Sequence, residues 1–362
     1  MTPNFPYLTG KLLPMNRFLL LLITVTAFSC QQSSTLPSSS EFKIAFGSCG
    51  HQDHPLPIFH EVVKQNPDLF IFLGDNIYGD TKVMDTLRAK YNRLSRKESF
   101  QALKAATPML ATWDDHDFGW NDAGRHYEFK EEAKEIFMDF FEISERSPMR
   151  SRPGIYDSHT VDAGGKTIQI ILLDSRTFRD RLARYDGRFD NDRRYFYSLD
   201  YRPYDTADST LLGEAQWNWL EAELTKEADL RIIASSTQFG IEFNGYEAWA
   251  NFPHEQQRFL DLIQKTKASG VLFLSGDVHY AEISKLEEEG LYPIYDLTSS
   301  GLSSTWHFAT PNRNRIEGPI MDNHFGLLTM SIETDPKLSM EIWDIYGNQR
   351  IEYAIRLSDI SF

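Results

Sequence analysis

Five stretches of this 362-residue chain place Cys, Asp or His directly after a short apolar run. Residues 42–46 run into Gly47-Ser48-Cys49. Residues 69–73 run into Gly74-Asp75, with Tyr78 and Asp80 following at loop spacing. Residues 109–113 end at Asp114-Asp115-His116-Asp117, residues 168–173 at Asp174, and residues 271–274 at Ser275-Gly276-Asp277-Val278-His279. One apolar run that stops at a polar turn is an ordinary strand end. Five of them tipped with thiol, carboxylate and imidazole groups make a metal or catalytic centre the better account. Asp75, Asp114, Asp115, Asp117 and Asp277 cannot all stay ionised together in a desolvated cleft, because like charges raise one another's pKa. Two bound metal ions resolve that conflict. A carboxylate can bridge ions roughly 3.5–4 Å apart, and such a pair acidifies water and clamps a phosphoryl oxygen.

The elements that must position these groups are legible as apolar periodicity. Runs such as Leu-Phe-Ile-Phe-Leu at 69–73 read as strands buried on both faces. In an open α/β sheet, sites form beyond the carboxyl ends of such strands. Residues 155–161 and 168–173 flank Ala163-Gly164-Gly165 and read as a hairpin, and residues 230–234 as a further strand. Helices are expected from Pro57 to Asn66-Pro67, within 83–105, over 128–142 (Phe129, Ala133, Ile136, Phe137 and Phe140 at helical spacing), over 212–224 and over 254–267. From Tyr292 onward the text reads as strands, at 293–297, 327–332, 338–343 and 350–355. Early strands alternate with helices and the end is a β meander. The pattern predicts one α/β domain over 41–362, with two packed β-sheets flanked by helices. Residues 176–209 are rich in Arg, Asp and Tyr with little periodicity; a functional loop and a solvated excursion weigh equally there.

Composition narrows the class. Hydrophobic residues at 41% and charged residues at 25% describe a globular chain. A net charge of −15 argues against general binding to nucleic acid phosphates, yet metal ions could still attract a phosphate substrate. At the N-terminus, Arg17 precedes an apolar run over 18–28, too short to span a bilayer, and Ala27-Phe28-Ser29-Cys30 is similar to a bacterial lipobox. Residues 1–30 are therefore expected to be a signal peptide with Cys30 as the lipidated residue and Met15 as the true start. Residues 31–40 form a Ser-rich tether. This predicts an exported cell-envelope lipoprotein held at a membrane. With Cys30 carrying lipid, Cys49 has no disulfide partner among the two Cys of the chain.

The order of motifs resembles the PhoD-like alkaline phosphatases of the calcineurin-like metallophosphoesterase superfamily. It comprises Gly-Ser-Cys49, Gly-Asp75-Asn-Ile-Tyr78, Trp113-Asp-Asp-His-Asp117, Leu173-Asp-Ser-Arg176 with Arg179, Gly213-Glu-Ala-Gln-Trp and Ser275-Gly-Asp-Val-His279. The resemblance implies an αββα fold and an iron–calcium centre, with Zn²⁺ or Mn²⁺ as alternatives. It implies Cys49, Asp75 and Tyr78 as ligands, with Asp75 bridging, and Asn121 as an amide ligand. Asp277 and His279 stand for the closing histidine motif, and Asp115 is a ligand or the partner of one. It further implies His116 as the group supporting the leaving oxygen, Asp117 as its orienting partner, and Arg176 as a grip on substrate phosphate. The superfamily's histidine after its third motif has no match here; the strand ending near Ser235 offers Gln238. The family's separate N-terminal domain is not expected, because about ten residues separate Cys30 from the first strand. The expectation is a phosphoric ester hydrolase, monoesters ahead of lipid or teichoic-type diesters. A non-catalytic metal- or phosphate-binding lipoprotein is the alternative from a different class. No reading of oligomeric state follows.

Overall fold

The computed structural model describes residues 41–185, 200–243 and 245–362. The signal segment, Cys30, the tether and residues 186–199 of the Arg-rich stretch lie outside the described residues. Among these, the elements run β1 (Glu41–Gly47), α1 (Ile58–Lys64), β2 (Leu69–Leu73), α2 (Met84–Ser95), α3 (Glu98–Ala106), β3 (Met109–Thr112), α4 (Asp115–Phe118) and α5 (Lys130–Phe140). They continue with β4 (Asp157–Ala163), β5 (Lys166–Leu172), α6 (Gly213–Leu224), β6 (Leu230–Ala234), α7 (Pro253–Thr266) and β7 (Val271–Ser275). The last are β8 (Ala281–Leu286), β9 (Ile294–Ser299), β10 (Arg315–Ile320), β11 (His324–Ser331), β12 (Lys337–Asp344) and β13 (Gln349–Arg356).

The strands form a six-stranded sheet ordered β13-β12-β11-β1-β2-β3 and a seven-stranded sheet ordered β10-β8-β9-β7-β6-β5-β4. Strand periodicity explains how they stack. Every residue of β2 is buried, and alternate side chains go to opposite faces. Leu69, Ile71 and Leu73 join Ile44 and Phe46 of β1 in a core shared with Ile170, Ile232, Leu272 and Leu274 of the second sheet. Phe70 and Phe72 point the other way, into a cluster with Phe59, Leu87, Phe100 and Phe137 of α1, α2, α3 and α5. On the second sheet, Trp217 and Leu220 of α6 and Phe259 and Ile263 of α7 enlarge the shared core. The order is helices, sheet, sheet, helices, as expected.

Two strands escaped the reading of the sequence. β8 buries Glu282 and Ser284, so its text lacks an apolar run. β10 contains Gly318-Pro319 and is half-exposed at the sheet edge. The C-terminal strands also divide. β11–β13 extend the first sheet as a meander, while β9 inserts between β7 and β8 of the second. No helix among the described residues is long and apolar enough to cross a membrane.

Candidate metal centre

Strand direction sets where the site lies. β1, β2 and β3 run parallel, as do β5, β6, β7 and β9, so each sheet gathers its carboxyl ends along one edge. The two edges are tied together. Thr112 Oγ1 donates to the Leu173 carbonyl at 2.7 Å, and Trp113 Nε1 donates to Asp174 at 2.9 Å. Asp174 also accepts from the backbone N–H groups of Ile155, Arg176 and Thr177, each at 2.9 Å, so it is a corner-post of the fold and not a ligand.

At the joint the chain takes a conformation that side chains rarely adopt. Cys49, Asp75, Asp277 and His279 have φ of 59°, 48°, 73° and 61°. An L-residue there is disfavoured by roughly 1–2 kcal/mol. Such outliers gather where function needs a side chain that the easier backbone would aim elsewhere. Gly74, at φ 101°, precedes Asp75, and a Cβ on it would strike Asp114.

The result is a chain of overlapping donor groups. Cys49, Asp75 and His279 have ligand atoms all within 4.8 Å of one another, as do Asp75, Asp115 and His116, then Asp114, Asp115 and Asp277, then Asp115, Asp122 and Glu247. Asp75 belongs to two of these groups and Asp115 to three. Tyr78 stands at the first group, its hydroxyl 3.2 Å from His279 Nε2. Its ring lies between His51 and His116, with centroids 4.8 and 4.3 Å away. Gln52 Oε1 accepts the Tyr78 N–H at 2.8 Å, and Lys90 Nζ donates to the carbonyls of Tyr78 and Gly79, which fixes that loop.

The donor set fits metal ions. Burial pushes Asp75 and Asp277 well above the carboxylate range and the Cys49 thiol up to about 12. Burial also raises Asp114 to about 7 against the pull of Arg176. Asp115 differs: burial opposes its charge, yet Arg176, His116 and the Asp122 N–H hold it down at about 2. Asp114 Oδ2 is buried without a hydrogen-bond partner. Without cations Asp75, Asp277 and Cys49 favour their protonated forms; cations let them ionise.

The structure changes several expected roles. The carboxylate on His116 Nδ1 is Asp80, at 2.7 Å, and not Asp117. Asp117 turns back in the first turn of α4. It accepts from the Asp114 N–H at 2.7 Å, from Asn76 Nδ2 at 2.6 Å and from the Tyr91 hydroxyl at 3.3 Å. Arg176 is fully buried and is held by two carboxylates. Its Nε donates to Asp114 at 2.6 Å and its Nη1 to Glu247 at 2.7 Å, so its fork is occupied by the protein and not presented for a phosphate. Arg179 joins Glu247 at 3.0 Å. Asn121 is exposed at the mouth, where its N–H donates to Asp80 at 3.2 Å. There it lines a cavity of about 600 Å³ with Trp120, Asp122, Arg181, Arg184 and Tyr201. Gln238 stays below the centre, donating to Glu282 at 2.9 Å and Thr298 at 3.1 Å. His324 is buried behind Ser300 and does not line the cleft.

Sequence reading left Asp80, Glu247 and Ser300 without roles. Asp80 carried a signal, five residues after Asp75 in the same loop. Glu247 sits in a stretch with no periodic cue, and Ser300 follows the strand expected at 293–297 as one serine among several polar residues, so only the fold brings them in.

A family profile described as PhoD-like phosphatase matches residues 42–314. Alkaline phosphatase D of Bacillus subtilis (strain 168) is 26% identical over 303 residues, covering 70% of this chain and 49% of that protein. The chain thus spans about half the length of that curated relative. Among solved structures, one described as the structure of PhoD superposes with a TM-score of 0.68 at 17% identity, covering 87% of this chain and 68% of that one. Purple acid phosphatase PPD1 from yellow lupin seeds superposes with a TM-score of 0.57 at 14% identity, covering 89% of this chain and 55% of that one. These two likenesses concern the fold: two mixed sheets with flanking helices.

Proposed function

Because the chain belongs to the PhoD-like phosphatase family, we propose that it is a metal-dependent hydrolase of phosphoric esters, of alkaline phosphatase type. The observation that carries the reading is the overlap of donor groups at Asp75, which lets one carboxylate serve two adjacent ions. Cys49, Asp75, Tyr78 and His279 would hold one ion. Asp75, Asp115 and Asp277 would hold a second, with Asn121 at its open side. Sulfur and phenol donors suit ferric iron and the carboxylates suit Ca²⁺, with Zn²⁺ or Mn²⁺ as alternatives. A bound pair supplies Lewis acidity at the phosphoryl oxygen and a water of lowered pKa.

The chain's own residues do the rest. Asp80 grips His116 Nδ1 at 2.7 Å and so fixes the ring. The other ring nitrogen is left to give a proton to the departing alcohol oxygen. Tyr78 packs on the His116 ring and limits its swing. Arg176 and Arg179 balance Asp114 and Glu247 from beneath. Monoesters are the first substrate class. The cavity beside Asp122 has room for a second ester group, which keeps diesters as the second reading. Lipidation of Cys30 would tether the enzyme to a membrane, and Cys30→Ser should then release the mature chain into the soluble fraction.

Protein purified without chelator should contain two or more metal equivalents by elemental analysis and should hydrolyse aryl phosphate monoesters. Faster turnover of aryl diesters would promote the second reading. Tight phosphate binding with no turnover under every metal tried would make the chain a binder and not an enzyme.

A further inference from the structure

The segment after β9 wraps the soft end of the donor chain. The Leu302 N–H donates to the Ser48 carbonyl at 3.1 Å, and the Ser303 and Ser304 N–H groups donate to the Cys49 carbonyl at 3.1 and 3.2 Å. The Trp306 N–H donates to the His279 carbonyl at 3.1 Å, and the indole stacks on the His279 ring with centroids 5.2 Å apart. At the head of this segment stands Ser300, fully buried. Its Oγ accepts the His279 N–H at 2.9 Å and lies 3.2 Å from Cys49 Sγ.

The direction of the second contact follows once Cys49 serves as a metal-bound thiolate, which has no proton to give. A serine hydroxyl has one proton to give and two lone pairs. The His279 N–H takes a lone pair and gives no acceptor in return. Among the described contacts of Ser300 Oγ, the Cys49 sulfur is the one group that can receive the hydroxyl proton. Ser300 is itself anchored. Its N–H donates to His324 Nε2 at 3.0 Å, and His324 Nδ1 donates to the Asp322 carbonyl at 2.8 Å. A carbonyl cannot donate, so the proton of His324 sits on Nδ1 and Nε2 is bare. Gly301 leaves no room for a Cβ against that ring.

We propose that Ser300 is a positioning residue that clamps two metal donors at once. It donates its hydroxyl proton to Cys49 Sγ, accepts the His279 N–H, and is held in register by His324 from the far sheet. The inference rests on the reading of Cys49 as a ligand. Partners of this kind fix ligand orientation and tune the electron density on sulfur.

The test uses the full chain, stripped of metal and reloaded with Co²⁺ alone, whose thiolate charge-transfer absorption reports the sulfur. Ser300→Ala should shift that band to longer wavelength, because the sulfur loses its nearer hydroxyl donor and keeps only the longer contact from Ser48 at 3.6 Å. Co²⁺ affinity should fall roughly 10-fold. Ser300→Thr, which keeps the hydroxyl, should restore both. In the unsubstituted chain, transfer to D₂O should move the Co–S stretch in resonance Raman, a reading that stands even if Ser300→Ala fails to fold. An unmoved band in folded Ser300→Ala, or a Co–S stretch blind to D₂O, overturns the clamp. A Co²⁺-loaded parent chain without any thiolate band overturns instead the assignment of Cys49 as a ligand.

Discussion

The two ends of the donor chain are built on opposite principles. At one end Cys49, Tyr78 and His279 are neutral or weakly acidic groups, clamped by the segment after β9 and by His51, with no guanidinium hydrogen-bonded to their side chains among the described residues. At the other, Asp114, Asp115, Asp122 and Glu247 crowd together around Arg176 and Arg179, cations that the chain supplies permanently. The first end is shaped by position and the second by charge. Sulfur and phenol groups demand little countercharge until a metal deprotonates them, so hydrogen bonds suffice to hold them. Packed carboxylates repel at once, so cations must be built in before any metal arrives.

Asp75 is the residue both ends share, and its loss should have the largest effect. Asp75→Asn should lose metal from both groups and with it the activity, down to background, as read by elemental analysis and initial rates. An active Asp75→Asn chain with full metal content would break the idea of a joint ligand. His116→Asn comes next. It should keep its metal while kcat falls roughly 10²–10⁴-fold, with esters of poor leaving alcohols suffering most and activated aryl esters least. Asp80→Asn should move kcat in the same direction, whereas Asp117→Asn should lower the melting temperature. Equal losses on both ester types, together with missing metal, would place His116 among the ligands.

Arg176→Met probes the charged end. Removing one partner of a fully buried pair leaves its carboxylates uncompensated, at a cost of roughly 3–5 kcal/mol in unfolding free energy. Raised KM with an unchanged urea midpoint would instead restore the phosphate-gripping role. The smallest effect probes the clamped end. Burial holds His324 down at about 4 from a usual 6.5. Above pH 6.5 the folded and unfolded chains both carry it neutral. Between 6.5 and about 4 the unfolded chain takes the proton first, so stability falls as pH drops, by about 3 kcal/mol across that window. His324→Asn should flatten this part of the urea-midpoint profile. Parallel slopes in the two proteins would remove His324 as the cause.

What the sequence made legible follows from how each group is reached. Cys49, Asp75, Asp115 and Asp277 sit two or three residues beyond apolar strands, so periodicity points straight at them. His116 and Asp117 are adjacent in sequence, which suggested a pair. The first turn of α4 sends Asp117 back to the Asp114 N–H, and the loop from β2 delivers Asp80 in its place. Arg176 was visible as a cation near the site but not as a buried one. Its partner Glu247 lies 71 residues away in a stretch without period. β8 stayed hidden because its buried face is polar, with Glu282 held by Gln238 and Arg315.

The left-handed backbone at Cys49, Asp75, Asp277 and His279 sets stability and chemistry against each other in this protein's evolution. At each of these positions glycine would sit more comfortably than the residue that is there. A lineage relieved of the need for metal could therefore gain robustness by the very substitutions that erase its ligands. A screen for thermal tolerance alone would drift the same way. Any effort to harden this scaffold must keep those four strained residues out of its library, and look for its gains elsewhere in the chain.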